Sequence, residues 1–488
     1  MSKAIASTSR NLDRVFCPRS VAVVGDKQAL GYMWLKALSD FKGEVYSVQI
    51  DPSELPGIAA LGVPNYSSLQ DIPGPVDYVI SSVPRAAAPR IVRDCIEKAV
   101  GGVCFFTSGF AETSTEEGTR LQREITELAL QAGLNLIGPN CVGVYNPRIG
   151  LKHNAAQQSG EGGPVGFIAQ SGTHATLFSI LGAINGIRIS KSVSYGNAVV
   201  LDSTDFLEYL GQDDETRIIG MYIEGVRDGR RFLRVLKDVA ARKPVLIWKG
   251  GQTQAGARAT ASHTGVLAES AAVWETLIRQ YGAVKVHSVD EMIDTAKALL
   301  YVKPARGNRV GLIAMSGGQS VTITDTFAGA GLEIPLLDER SYDRLAAFFD
   351  IIGGSYRNPF DISSSFFMSA NGVSNLASML DVMEKDPNID SVVLEMFPLI
   401  RPQGAKDTGD KDPVLETLSE FRARSEKPFM VIITTAHEES LSTEARKRVT
   451  GQGIACFPNF ERAAKALRRH VDYFRLRREL DSCEQAGI

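Results

Sequence analysis

Three stretches carry residue types that together could move a phosphoryl or acyl group. His263 stands in ATASHTGVLAES (259–270), Glu224 ends IIGMYIE (218–224), and Ser171-Gly172-Thr173 follows VGFIAQ (165–170). A neutral imidazole is a nucleophile that carries such a group transiently if one partner orients its ring and another holds the transferred anion. Glu224 suits the first role. Free backbone N–H groups at the start of the helix opening at QSGTH suit the second, since helix N-termini are ready anion sites. Taken singly, each residue has a plainer reading. His263 is then a polar loop residue, Glu224 a surface carboxylate, Ser171 and Gly172 an N-cap and its turn, and Arg258 either a solvent-facing charge or a phosphate contact.

These residues need a scaffold that brings strand ends together. One pattern opens three times, in SVAVVGDKQALG (20–31), PVGFIAQSGTHATLF (164–178) and RVGLIAMSGGQSVTITDTF (309–327): a short apolar strand, a Gly/Ser turn, then a helical period. Strands apolar on both faces and alternating with helices are what parallel sheets covered on both sides require. The chain therefore reads as α/β with three parallel-sheet domains. Ligands of such sheets bind beyond the carboxyl ends of the strands. Glu224, the loop QTQAGARATAS (252–262) leading to His263, and the 171–173 turn all fall on that rim. The Gly-rich QQSGEGGP (157–164) and the Pro/Gly/basic VKPARGN (302–308) read as linkers. PQGAKDTGDKD (402–412) reads as an exposed loop, and the charge run of Ala463–Leu480 as the solvated face of a closing helix.

A chain of 488 residues with 44% hydrophobic and 22% charged residues and a net charge of −3 has no electrostatic bias toward nucleic acid or anionic membrane. No apolar run approaches the ~18 residues of a membrane span, and the N-terminus lacks a secretory core. A cytoplasmic protein is expected, its six cysteines reduced rather than paired. No metal-ligand spacing occurs, so no metal is expected on this chain.

Beyond these patterns, PVDYVISSVP (75–84), TSGFAET (107–113), GPNCVGVYNP (138–147), QSGT (170–173), SYGN (194–197), MYIEGVRDGRRFL (221–233), AGARATASHTG (255–265), MSGGQSV (315–321) and NPFDIS (358–363) together resemble the α portion of the nucleoside-diphosphate-forming acyl-CoA synthetases. That superfamily includes succinyl-CoA synthetase and ADP-forming acetyl-CoA synthetase. The resemblance implies a Rossmann-like CoA-binding domain over 1–150, a succinyl-CoA synthetase-like flavodoxin-type domain over 151–304, and a second flavodoxin-like domain over 305–488. It assigns phosphorylation to His263, support of the phosphohistidine to Glu224, and phosphate binding to Ser171, Gly172 and Thr173. Coenzyme A would be held by Gly25, Lys27, Gly31, Val83, Pro84, Asn140 and Cys141.

The implied reaction joins a carboxylic acid to coenzyme A with ATP, giving acyl-CoA, ADP and phosphate. A small-residue loop would let His263 travel between donor and acceptor sites. No segment is left for the ATP-grasp module that binds ATP and Mg in this family, so a separate ATP-grasp β subunit, and hence a hetero-oligomer, is expected. The first turn, GDKQALG (25–31), is bulkier than the family's usual opening, and Asp51 stands where a ribose hydroxyl or a simple turn could use it. Cys141 suits either the site or a buried small hydrophobe, and His153 either a substrate carboxylate or a turn. Two further classes stay open: a non-catalytic CoA- or nucleotide-binding regulatory protein, and an acyl or carbamoyl transferase that does not use coenzyme A.

Overall fold

The computed structural model describes residues 11–264, 271–349, 354–362, 371–398, 412–435 and 438–486, with backbone only at 261–264, 271 and 483–486. The 402–411 stretch thus lies outside the described residues; Asp412 caps the helix Pro413–Arg424, its carboxylate accepting from the N–H groups of Val414 and Leu415. The chain divides into two compact units, one of residues up to Ala183 with Ile187–Val289, the other of Ile184–Gly186 with Asp290 onward.

The first unit holds two sheets. Strands β1 (Ser20–Val24), β2 (Glu44–Val48), β3 (Asn65–Tyr66), β4 (Tyr78–Ser81), β5 (Gly102–Phe105) and β6 (Leu136–Ile137) form a parallel sheet in the order β3-β2-β1-β4-β5-β6. The order reverses between β1 and β4, where a crevice for ligands opens in such sheets. β7 (Gly143–Tyr145), β8 (Val165–Ala169), β9 (Ile189–Ser194), β10 (Ile218–Ile223), β11 (Val245–Lys249) and β12 (Val284–Lys285) form the second, ordered β12-β11-β10-β8-β9-β7. Only β7 runs antiparallel there among the described strands, pairing Gly143 with Ser194 and Val144 with Val193. Every residue of β1, β8 and β10 is buried, because helices cover both faces.

The second unit carries β13 (Val310–Ala314), β14 (Phe360–Asp361), β15 (Ser391–Met396), β16 (Phe429–Ile433) and β17 (Ala455–Phe457), a parallel sheet in the order β14-β13-β15-β16-β17. Its closing helix, Phe460–Ala486, is amphipathic, as a helix closing the third domain should be. Ala463, Leu467 and Val471 face the core, while Arg462 and Arg469 bond Asp294 and Glu291 of the helix Val289–Tyr301. Among the described residues no helix is long and apolar enough to cross a membrane.

Candidate active site

The 171–173 turn joins β8 to the helix Gly172–Ile184. Ser171 caps this helix loosely, its hydroxyl accepting the His174 N–H at 3.4 Å. The first-turn amides of Gly172 and Thr173 have no acceptor among the described residues, as expected where no preceding turn supplies carbonyls. A Cβ at Gly172 would lie 3.2 Å from the side chain of Val142, the residue before β7, so that neighbour would have to give by a few tenths of an ångström.

Beside the turn lies a cavity of ≈ 430 Å³ lined by Asn140 and Cys141 from one motif and Ser171, Gly172 and Thr173 from another, with Phe106 and Leu177 as apolar walls. Residues separated by thirty positions thus meet. Gly196 makes this possible: a Cβ there would sit 2.2 Å from the Pro139 carbonyl oxygen, so only glycine lets the 194–197 segment pass the 138–141 turn. Glu112 ties the same region from the other side, accepting the Gly109 N–H at 2.6 Å and the Asn197 amide at 2.7 Å.

Glu224 is buried, 4% exposed, which removes the surface-carboxylate reading. Its N–H donates to the Gln170 side-chain oxygen at 2.9 Å, its carboxylate accepts the Tyr222 hydroxyl at 3.1 Å, and Lys249 donates to its carbonyl at 2.7 Å. Burial of the Tyr222 hydroxyl itself raises it well above the usual phenol range, and the neighbouring Glu224 carboxylate adds to the shift. His174, which the sequence reading passed over, packs its ring 4.3 Å from Tyr222 and 4.5 Å from Trp248. Burial lowers its pKa, which keeps the imidazole neutral, against the opposing pull of Glu224.

The segment carrying His263 corrects an expectation. Gln254–Thr264 is a helix, not a loop. Four alanines at alternating positions from 255 to 261 give it high helix propensity, and the Thr253 hydroxyl caps it by accepting the Gly256 N–H at 3.0 Å. Small residues suit loops and helices alike, which is why composition misled. The helix contacts the turn Ala111–Thr113 of the first sheet. His263 lies on its last turn; its side chain is outside what the structure describes, as are residues 265–270. Arg258 is exposed on the same helix.

The remaining residues fall at the first sheet. Gly25 adopts φ +82°, and a Cβ there would lie 2.7 Å from Val83, so Gly25 and Val83 meet at the β1/β4 reversal with Pro84 exposed beside them. Lys27 and Gly31 are exposed on the same turn. The amides here are already used by acids: buried Asp26 accepts from Trp34 and Leu35 at 3.0 Å each, and Glu54 accepts from Gln28 at 2.8 Å. Asp51 turns out to start a turn, its carboxylate accepting from the Ser53 amide and hydroxyl at 2.9 and 2.7 Å. Cys141 is buried with its sulfur 3.5 Å from that of Cys104, and desolvation raises its thiol far above the usual range. His153 does not reach the cavity. It is buried under the helix Gly172–Ile184, bonded to Thr176 at 3.1 Å and Gln157 at 3.0 Å, and burial lowers its pKa to about 3.

Comparison with known proteins gives this arrangement a family. The CoA binding domain model matches residues 19–147, and the succinyl-CoA ligase like flavodoxin domain model matches 162–299. The α subunit of ADP-forming acetate–CoA ligase II from Pyrococcus furiosus is 34% identical over 455 residues, covering 92% of this chain and 94% of that one. The chain belongs to the NDP-forming acyl-CoA synthetase family. Within it, the chain is of the α type. It also aligns with the Archaeoglobus fulgidus ADP-forming acetate–CoA ligase I, 36% identical over 390 residues, but covers only 55% of that longer protein and 79% of itself. Among solved structures, acetyl-coenzyme A synthetase 1 of Ca. Korarchaeum cryptofilum, in complex with phosphate and ADP, matches with a TM-score of 0.81 at 29% identity. It covers 97% of this acyl-CoA synthetase chain and 99% of its own.

Proposed function

We propose that this α-type chain is the acyl-transferring half of an ADP-forming acid–thiol ligase, with His263 as phosphoryl carrier. The observation that carries the reading is the buried Glu224, locked by Gln170 to the turn whose Gly172 and Thr173 amides have no acceptor among the described residues. In this reading His263 receives a phosphoryl group from ATP on a partner chain. Glu224 accepts a hydrogen bond from one ring nitrogen while the Gly172 and Thr173 amides hold the phosphoryl oxygens on the other.

The phosphoryl group then passes to a substrate carboxylate, giving an acyl phosphate and free His263. The thiol of coenzyme A attacks the acyl carbon, loses its proton, and displaces phosphate. Coenzyme A would lie along the carboxyl edge of the first sheet, over Gly25, Val83 and Pro84, with Lys27 and Gly31 beside it and its thiol end toward Asn140 and Cys141. Because Asp26 and Glu54 occupy the amides of that turn, its phosphates rely on Lys27 and backbone glycine rather than on a helix start.

An ATP-grasp β subunit carrying ATP and Mg completes the reaction. Near-complete mutual coverage with a chain named as an α subunit supports a two-subunit arrangement. Cys17, Cys95, Cys104, Cys141 and Cys456 are free, which suits a reducing cytoplasm. The domain limits 1–150, 151–304 and 305–488 belong to this proposal, the third domain serving as scaffold and docking surface.

The test is reconstitution. The chain mixed with an ATP-grasp partner, ATP, Mg, coenzyme A and a panel of monocarboxylic acids should form acyl-CoA and ADP in equal amounts, and His263→Ala should abolish both. Acyl-CoA formation that persists in His263→Ala would refute the assigned carrier.

A further inference from the structure

The C-terminal unit contains a second cavity, ≈ 210 Å³, whose wall includes Lys297, Arg446, Lys447, Arg462 and a single carboxylate, Glu439. It opens at the carboxyl ends of β16 and β17, where parallel sheets place ligands. Arg446 donates to the carbonyl of Ile433, the last residue of β16, at 3.0 Å, and Lys297 donates to the Cys456 carbonyl in β17 at 2.8 Å. The helix Phe460–Ala486 starts two residues beyond β17, with Pro458 and Arg462 on the cavity wall, so its positive end adds to the same field.

Lys297 makes the cavity more than a charged surface. It is 2% exposed, yet its ammonium has one hydrogen-bond acceptor among the described residues, with the Phe457 ring 5.2 Å away. An ammonium has three donors. Leaving two unspent on a buried cation is costly unless an acceptor enters the cavity. Burial lowers its pKa, Asp294 opposes this, and Arg462 and Arg446 add like-charge repulsion.

The arginines are held in place from behind. Arg462 bonds Asp294 at 2.5 and 2.9 Å, and Arg446 pairs with Glu439. Lys447 is exposed and has no partner among the described residues. Ligand pockets for whole drug-sized molecules run to roughly 300–1,000 Å³, so this one suits a small anionic group rather than an entire nucleotide.

We infer that this cavity binds a phosphoryl group, either of inorganic phosphate or of the terminal phosphate of a nucleotide whose base stays outside. None of its lining residues belongs to the site built around Glu224. The inference does not depend on the reading of His263, since it rests on Lys297 and its neighbours alone.

Binding of inorganic phosphate and, in a second arm, of ADP would be measured by isothermal titration on the intact chain and on Lys447→Glu and Arg446→Gln. Phosphate affinity should fall at least tenfold in each folded variant. ADP binding that falls in parallel would assign the group to the nucleotide; ADP binding that does not would assign it to inorganic phosphate. The exposed Lys447→Glu keeps the test valid if Arg446→Gln does not fold. Phosphate affinity unchanged within twofold in the folded variants, or no phosphate binding by the parent chain, would overturn the inference.

Discussion

The side-chain oxygen of Gln170 accepts the backbone N–H of Glu224 at 2.9 Å. This bond joins the end of β8 to the residue after β10, so the carboxylate and the helix start move as one body. Gln170→Ala leaves a buried N–H without its acceptor, a loss of about 1–3 kcal/mol. Urea unfolding should show it, together with slower phosphoryl transfer, because Glu224 is no longer held against the turn.

Glu224→Gln tests the carboxylate itself. The amide keeps the shape and the Tyr222 contact but loses the charge that supports a protonated imidazole edge. Phosphoryl transfer through His263 should fall on the order of 10²–10³-fold, the scale seen when one preorganised electrostatic partner is removed. Thermal unfolding should shift little. A rate within threefold of the parent would leave Glu224 a structural residue.

Gly196→Ala addresses the meeting of the two motifs. The added Cβ would sit 2.2 Å from the Pro139 carbonyl oxygen and 2.4 Å from that of Asn140, at a φ of +50°. The 138–141 turn must move, at a cost of roughly 2–4 kcal/mol. Chemical denaturation measures the loss, and affinity for coenzyme A should weaken with it, because Asn140 and Cys141 shift.

Much of this was legible in the chain. Strands such as VAVV and VGFIA announce themselves because burial on both faces leaves no polar position, and the strand-end rule alone points to Glu224 and the 171–173 turn. What could not be read depends on contacts distant in sequence. Asp26 caps amides eight and nine residues on only because the chain folds back there. His174 gains its surroundings from Tyr222 and Trp248 on two other strands. Glu112 reaches Asn197 across two sheets. The alanine-rich segment before His263 is helical because alanine favours a helix once a cap is present, whereas small size alone had suggested a loop.

The buried His153 predicts an acid limb of stability. Burial lowers its pKa to about 3, below the ordinary value near 6.5 of an unfolded chain. The unfolded state therefore binds the proton first. Stability from this group is complete above about pH 6.5 and falls as the pH drops toward 3, by about 2 kcal/mol at pH 5. His153→Gln, which keeps a polar partner for Thr176, should flatten that part of the stability profile measured by denaturant unfolding. An unchanged slope between pH 6.5 and 5 would place the proton elsewhere.

The central claim is that His263 carries phosphate. The direct measurement is to incubate the chain alone with inorganic phosphate, a panel of acyl-CoA thioesters and no nucleotide, then locate an acid-labile phosphoryl group by intact-mass and peptide mass spectrometry. In the proposed scheme the reverse half-reaction uses only groups assigned to this chain, so at least one thioester should place phosphate on His263, release coenzyme A, and fail to do so in His263→Ala. Folded protein that acquires no phosphoryl group from any thioester, or acquires it equally in His263→Ala, would contradict the account.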